Sequence, residues 1–263
     1  MPASRSRGRS RLGVQLRRVR TGLLAVALAA TGWLVGSAAL AYIESIGVFQ
    51  LRRVEVRGNN ILTRSEVIKA MALPLTGSIF HVDLPAVQRR VELLQYVYGV
   101  RLGRKFPHRI YIDIVENQPL AYVAAPEYFI ISAEGVALPL PRGRFELELP
   151  TVTGTDSALT ALSKGSIEGH GQLQRAWDLL TYIRNSFPML YSELSEVVFG
   201  RDGEITLYMA ETSTPVRLGQ RDLLRRIATL DAFLNTLSGK RSLLDYAYID
   251  LRYDRQVVVR ERA

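Results

Sequence analysis

The side chains best suited to metal or proton chemistry in this 263-residue chain are its three histidines, and their spacing argues against both. His81, His108 and His170 lie far apart. None has a ligand partner at the i+3 or i+4 spacing that puts two imidazoles on one helix face. His108 follows the Phe106-Pro107 break and reads as a solvated strand start. His170 falls in a glycine-rich stretch, Gly165 to Gly171, that reads as a loop and lacks the Gly-Lys-Ser/Thr ending of a phosphate loop. No serine stands in a G-x-S-x-G turn. The absence of cysteine removes disulfides, thiolate catalysis and cysteine-ligated zinc. It suits an oxidising compartment, although cytosolic chains also lack cysteine. Asp and Glu are dispersed and suggest no paired-carboxylate site. The expectation is a protein that is not an enzyme, without catalytic, metal or cofactor residues, that works by binding.

The binding pattern lies near the C-terminus. Ala247, Ile249, Leu251 and Tyr253 alternate with Tyr248, Asp250, Arg252 and Asp254. One face of such a strand packs inward, and the other shows two acids and an arginine that could select a partner by charge. At a sheet edge its free N–H and C=O groups could be completed by another chain. The same alternation suits an ordinary internal strand, which periodicity by itself favours.

These elements must be positioned relative to a membrane. Residues 1–20 carry seven arginines (Arg5, Arg7, Arg9, Arg11, Arg17, Arg18, Arg20) and no acid. Without them 27 Lys and Arg face 25 Asp and Glu, so the rest of the chain is nearly neutral. It has no clustered basic face for nucleic acid. From Thr21 to Ile43 there are 23 residues without a charge. At ~1.5 Å per residue a helix of that length crosses a ~30 Å hydrocarbon core. Arg17, Arg18 and Arg20 before the span then hold a cytoplasmic tail, 1–20, inside, and the bulk of the chain lies outside the inner membrane. Cleavage at Ala39-Leu40-Ala41 is the rival reading, but the apolar stretch exceeds a usual signal-peptide core. Gly32-x-x-x-Gly36 would let two spans pack as a homodimer, unless glycine and alanine are simply abundant here. Ser4 to Arg11 (SRSRGRSR) reads as a disordered topology determinant, or as a segment that touches RNA or anionic lipid.

Beyond the span two units follow. In residues 46–117, Leu51 to Val56 reads as a strand with a Gly58-Asn59-Asn60 turn. Thr63 and Glu66 form a capping box for a helix ended by Leu73-Pro74. Asp83 caps a second helix, with Pro85 in its first turn. Tyr96 to Arg104 and Ile110 to Ile114 read as strands on either side of Phe106-Pro107. Strand, helix, helix, strand, strand makes a small α+β domain. In residues 118–263, hairpins are predicted over 128–138 and 197–209. Helices are predicted over 172–187, closed by Pro188, and over 223–237, stopped by Gly239. Strand-like stretches Tyr248 to Tyr253 and Val257 to Val259 end the chain.

The runs LRRVEVRGN (51–59), TRSEV (63–67) and KFPHRIYIDIVENQPLAY (105–122) resemble the POTRA domain of the FtsQ/DivIB cell-division family. The order Glu134-Gly135, Leu149-Pro150-x-Val152-x-Gly154, Val216-x-Leu218-Gly219 and YIDLRYD (248–254) resembles that family's second domain. The resemblance covers nearly the whole chain from the basic tail onward. It departs at Arg255 and Gln256, where small turn residues are expected. It implies a bitopic divisome scaffold at the division septum, linking early division proteins to septal peptidoglycan synthesis. Its partners would resemble FtsB and FtsL, and its partner-binding residues would be Tyr248, Asp250, Leu251, Arg252, Tyr253 and Asp254. Arg252 would meet a partner carboxylate, and Tyr253 would serve as an amphipathic anchor. The POTRA domain would contact other septal proteins. The alternative is another POTRA-bearing envelope assembly or transport factor, although no series of amphipathic strands follows to build a barrel. A periplasmic enzyme released after Ala41 is the third class.

Overall fold

Thr63 starts a helix for a local reason. Its Oγ1 accepts from the Glu66 amide at 3.2 Å, and the Glu66 carboxylate accepts from the Thr63 amide at 2.9 Å. Two of the amides that a helix start leaves unpaired are thereby satisfied. A computed structural model describes residues 23–24, 26–39, 42, 47–74, 77–141, 147–154, 165–169, 171–237 and 242–262. Residues 26–39 form helix α1. The first sheet holds β1 (Arg53–Arg57), β2 (Val97–Lys105) and β3 (Arg109–Glu116), in the order β1-β3-β2. β3 runs parallel to β1 and antiparallel to β2. Helices α2 (Arg64–Met71) and α3 (Leu84–Glu92) cover one face. Val67, Met71, Val87 and Val91 pack on Ile110, Ile112 and Ile114 there. Each isoleucine is at most 4% exposed and contributes roughly 1.5–3 kcal/mol gross. The result is the α+β arrangement that the order of elements implies.

Turn chemistry fixes the details. Gly58 has φ of +77°, and a Cβ there would stand 2.0 Å from the Ile114 carbonyl oxygen, so the turn needs glycine. The Glu116 carboxylate accepts from the Asn60, Ile61 and Leu62 amides at 2.9, 2.9 and 2.8 Å. That ties the end of β3 across the turn leaving β1. Regular pairing begins at Arg53 rather than Leu51, because Gln50 and Leu51 bond back to Ser78 and Gly77 instead. Helix α2 ends at Ala72, in the left-handed region at φ 44°, before Pro74 is reached.

The second domain is a mixed sheet with helices against it. Its strands are β4 (Pro119–Val123), β5 (Phe129–Ser132), β6 (Val136–Pro139), β7 (Thr151–Thr153), β8 (Gly165–Ser166), β9 (Leu194–Phe199), β10 (Ile205–Met209), β11 (Pro215–Gly219), β12 (Tyr246–Asp250) and β13 (Val258–Glu261). Among the described residues they form one ten-stranded sheet, ordered β13-β12-β11-β10-β9-β7-β4-β5-β6-β8. Helices α4 (Gly171–Ser186), α5 (Pro188–Ser192) and α6 (Leu223–Leu237) supply Leu173, Leu180, Leu190, Ile227 and Leu230 to its core. β4 forms where no strand is predicted, between Ile114 and the hairpin over 128–138. Pro119 opens it, a position where a missing N–H costs little. Pro188 closes α4 and also opens α5, where its fixed φ suits a first turn. Gly165 enters an edge strand instead of a loop. Tyr96 joins the two domains, with its hydroxyl donating to the Pro139 carbonyl and its ring beside Ile130 and Leu138.

Candidate functional site

Strand β12 is built from a buried spine. Tyr246, Ile249 and Leu251 are at most 3% exposed. It pairs with β11 in parallel and with β13 antiparallel, so both of its sides are filled. The edge of the sheet on this side is β13, at Val258–Glu261. The stretch 248–254 is therefore not itself the open edge. The chain turns back after Leu251, with Arg255 at φ 57° in the left-handed region where a small residue is expected.

Period-two alternation holds only while the strand lasts, and regular structure ends at Asp250. This corrects two placements. Asp250, expected on display, is 3% exposed. Tyr253, expected to face inward, is 56% exposed. Asp254 is also exposed, Leu251 belongs to the core, and Tyr248 is half-buried with Arg217 stacked 5.0 Å from its ring centroid.

Arg252 organises the site. Its Nε donates to Asp250 Oδ1 at 3.0 Å and its Nη2 to Oδ2 at 2.7 Å, a two-pronged pairing. Its Nη1 donates to the Glu204 carboxylate at 3.2 Å. Glu204 precedes β10, so the arginine ties the end of β12 to the β9–β10 turn. Burial pushes the Asp250 carboxyl up, but the hydrogen bonds and charge of Arg252 outweigh it and hold Asp250 below the usual carboxylate range. Arg226 on α6 donates to the Leu218 and Arg252 carbonyls. Gly219, at φ +72°, lets this happen: a Cβ would meet Arg226 Nη1 at 2.8 Å and Arg252 Cγ at 3.1 Å. The arginine expected to meet a partner carboxylate is thus engaged by two carboxylates of its own chain, while Tyr253 stands outward beside it. Glu204 and Arg226 were missed in the sequence, since neither spacing nor alternation links residues so far apart.

The hollow beside Tyr253, lined by Asp222, Arg225, Arg226 and Leu251 among others, holds about 20 Å³, room for roughly one water. A larger open groove of about 710 Å³ lies between the domains and is walled mainly by Ile61, Leu62, Leu93, Tyr96, Pro139 and Leu140. Glu66, Lys69 and Gln95 line it as well. His81 is exposed in a 3-10 turn and His108 is half-buried, while His170 lies outside the described residues. Among the described residues no three His, Cys, Asp or Glu side chains gather as a metal site would need.

Arg17, Arg18 and Arg20 lie outside the described residues. Of the expected span 21–43, residues 23, 24, 26–39 and 42 are described and helical. Gly32 and Gly36 sit one turn apart on α1 and are exposed. Among the described residues no helix is long and apolar enough to cross a membrane. Helix α1 nonetheless exposes Leu28, Trp33, Leu34 and Val35.

Comparison with known proteins gives this geometry a context. Residues 49–117 match the family model "POTRA domain, FtsQ-type", and residues 121–252 match "Cell division protein FtsQ/DivIB, C-terminal". The chain is 26% identical to Cell division protein FtsQ of Geotalea daltonii, over 81% of this chain and 76% of that protein. It is 26% identical to the FtsQ of Syntrophotalea carbinolica, over 96% of this chain and 89% of that protein. With the FtsQ of Rhodothermus marinus it shares 28% identity over 100% of this chain and 91% of the relative.

Proposed function

The chain belongs to the FtsQ/DivIB family of cell-division proteins, and from that premise we propose that it is a non-enzymatic divisome scaffold anchored by a single span in the inner membrane. Seven arginines followed by 23 uncharged residues support that anchor, as does the apolar surface of α1, which water would solvate poorly. The tail 1–20 then lies in the cytoplasm and both domains lie in the periplasm at the septum. The scaffold joins early division proteins to septal peptidoglycan synthesis.

The partners are coiled-coil division proteins of the FtsB and FtsL kind. One observation carries their placement. The corner after β12 presents Tyr253, 56% exposed, on a framework clamped by Arg252, and it leads directly into the edge strand β13. A partner strand can complete the backbone of β13 while Tyr253 fills an apolar pocket of that partner. Tyr248, Asp250, Leu251 and Arg252 hold the corner in shape, and Asp254 adds an exposed charge beside it.

A fluorescent fusion to the N-terminal tail tests the role. A midcell band before constriction is the expected result. An even envelope signal, with normal division after depletion, would instead favour an assembly or transport role.

A further inference from the structure

Two large apolar side chains stand in the open at the end of the first domain where the chain enters it. Phe80 is 46% exposed and Phe106 is 61% exposed. Their ring centroids are 5.6 Å apart, and Phe49 lies 5.1 Å from Phe80 and 6.4 Å from Phe106. Backbone bonds hold the group together. Ile79 N donates to Phe49 O at 2.9 Å, which fixes the entering chain beside the turn that carries Phe80. Phe106 sits in the turn between β2 and β3. A lone exposed ring would need no explanation, but adjoining ones form a patch of the kind that marks an interaction surface.

The charge around the patch has one dominant sign. At the same end of the sheet, Arg53, Arg109 and Lys105 stand in one row across β1, β3 and β2. The adjoining acid, Glu55, bonds Arg109 at 3.0 Å and Lys105 at 3.7 Å, so the three cations and this acid together keep a net charge of +2. The hydrogen bond from Arg109 chiefly, despite some desolvation, holds its carboxyl below the usual range.

Chain length fixes where this surface sits. Phe49 follows Tyr42 by seven residues, which extend at most about 25 Å. If α1 belongs to a membrane anchor, the aromatic end cannot be far from the headgroups.

We infer that Phe49, Phe80 and Phe106, flanked by Arg53, Lys105 and Arg109, form a second membrane contact that rests in the headgroup layer of an anionic leaflet. This rests on the anchored reading above. The rings supply apolar area at the interface, and the cations supply attraction to phosphate. The contact would fix the tilt of the first domain, and so the direction in which the second domain projects.

The chain has no cysteine, so single labels are clean. Full-length protein carrying a nitrobenzoxadiazole label at His81→Cys, Trp33→Cys or Arg201→Cys is placed in phosphatidylethanolamine nanodiscs, with or without phosphatidylglycerol. Quencher lipids report depth. The label at 81 should be quenched when phosphatidylglycerol is present, and the label at 201 should not. Lys105→Gln and Arg53→Gln should each lower the docked-to-free ratio about fivefold. Phe106→Ser should lower it as well. A label at 81 as unquenched as that at 201, while 33 is quenched, overturns this contact and leaves the anchor standing. Quenching at 81 that is indifferent to phosphatidylglycerol overturns the anionic recognition. Quenching at 81 but not at 33 removes the anchor and keeps the surface contact. Quenching at neither position overturns both.

Discussion

Arg252 grips Asp250 with two parallel hydrogen bonds, 3.0 and 2.7 Å long, although only one residue separates them along the chain. The pair closes the end of β12, and Glu204 braces it from the side at 3.2 Å. Charge in this corner is spent on holding shape.

The first prediction is an acid-sensitive contribution to stability. Asp250 has a folded-state pKa below its unfolded value. The stabilisation it provides is therefore present above the unfolded pKa of about 4 and is lost as pH falls through the folded value. Asp250→Asn should cost ~1–3 kcal/mol at neutral pH, and its deficit should shrink in acid. Urea unfolding of parent and variant across that range checks this. An unchanged difference between them would mean that the pair does not supply the acid dependence.

Tyr253→Ala should separate binding from folding. The ring is largely exposed and lies outside the core. Stability should change by no more than about 0.5 kcal/mol. Affinity for an FtsB–FtsL complex should fall by ~2 kcal/mol or more if the ring is an anchor. Titration calorimetry beside a thermal melt measures both, and equal affinities would remove Tyr253 from the interface.

Gly219→Ala should destabilise the second domain by ~1–3 kcal/mol. The new side chain would adopt φ +72° and press on Arg226 and Arg252. If strain is the cause, Gly219→Asn should be the milder change, since Asn tolerates that region better. Paired denaturation curves decide the order.

Glu116→Gln should loosen the turn after β1 at a cost of ~1.5–3 kcal/mol. The amide that replaces the carboxylate cannot accept three backbone hydrogen bonds with a full charge. Hydrogen exchange should accelerate at the Asn60, Ile61 and Leu62 amides before it does so in the second domain.

Features of short range were legible in the chain. The Thr63–Glu66 box, Asp83 as a cap and the Gly58 turn each depend on neighbours within a few residues, and each is present. The apolar stripes of α4 and α6 likewise follow from helical periodicity, which the residues themselves carry. Glycine and proline motifs in their order pointed to the FtsQ/DivIB family, because each marks a backbone place that few side chains tolerate.

What the chain could not decide by itself lay in contacts between distant segments. Alternation in 247–254 marks a strand but does not say which strands flank it, and hydrogen bonding between distant strands placed β12 inside the sheet and β13 at its edge. The same alternation put Asp250 outside and Tyr253 inside. Asp250 reversed because Arg252 can neutralise a buried carboxylate, and Tyr253 because the strand stops before it. β4 was not predicted because the apolar run Leu120 to Val123 after Pro119 shows no alternation of its own, and it is a strand because β5 and β7 pair with it. Periodicity is a property of one segment. Edges, the Arg252–Glu204 bond and the Phe49–Phe80–Phe106 cluster belong to several segments at once, and only the folded chain brings those together.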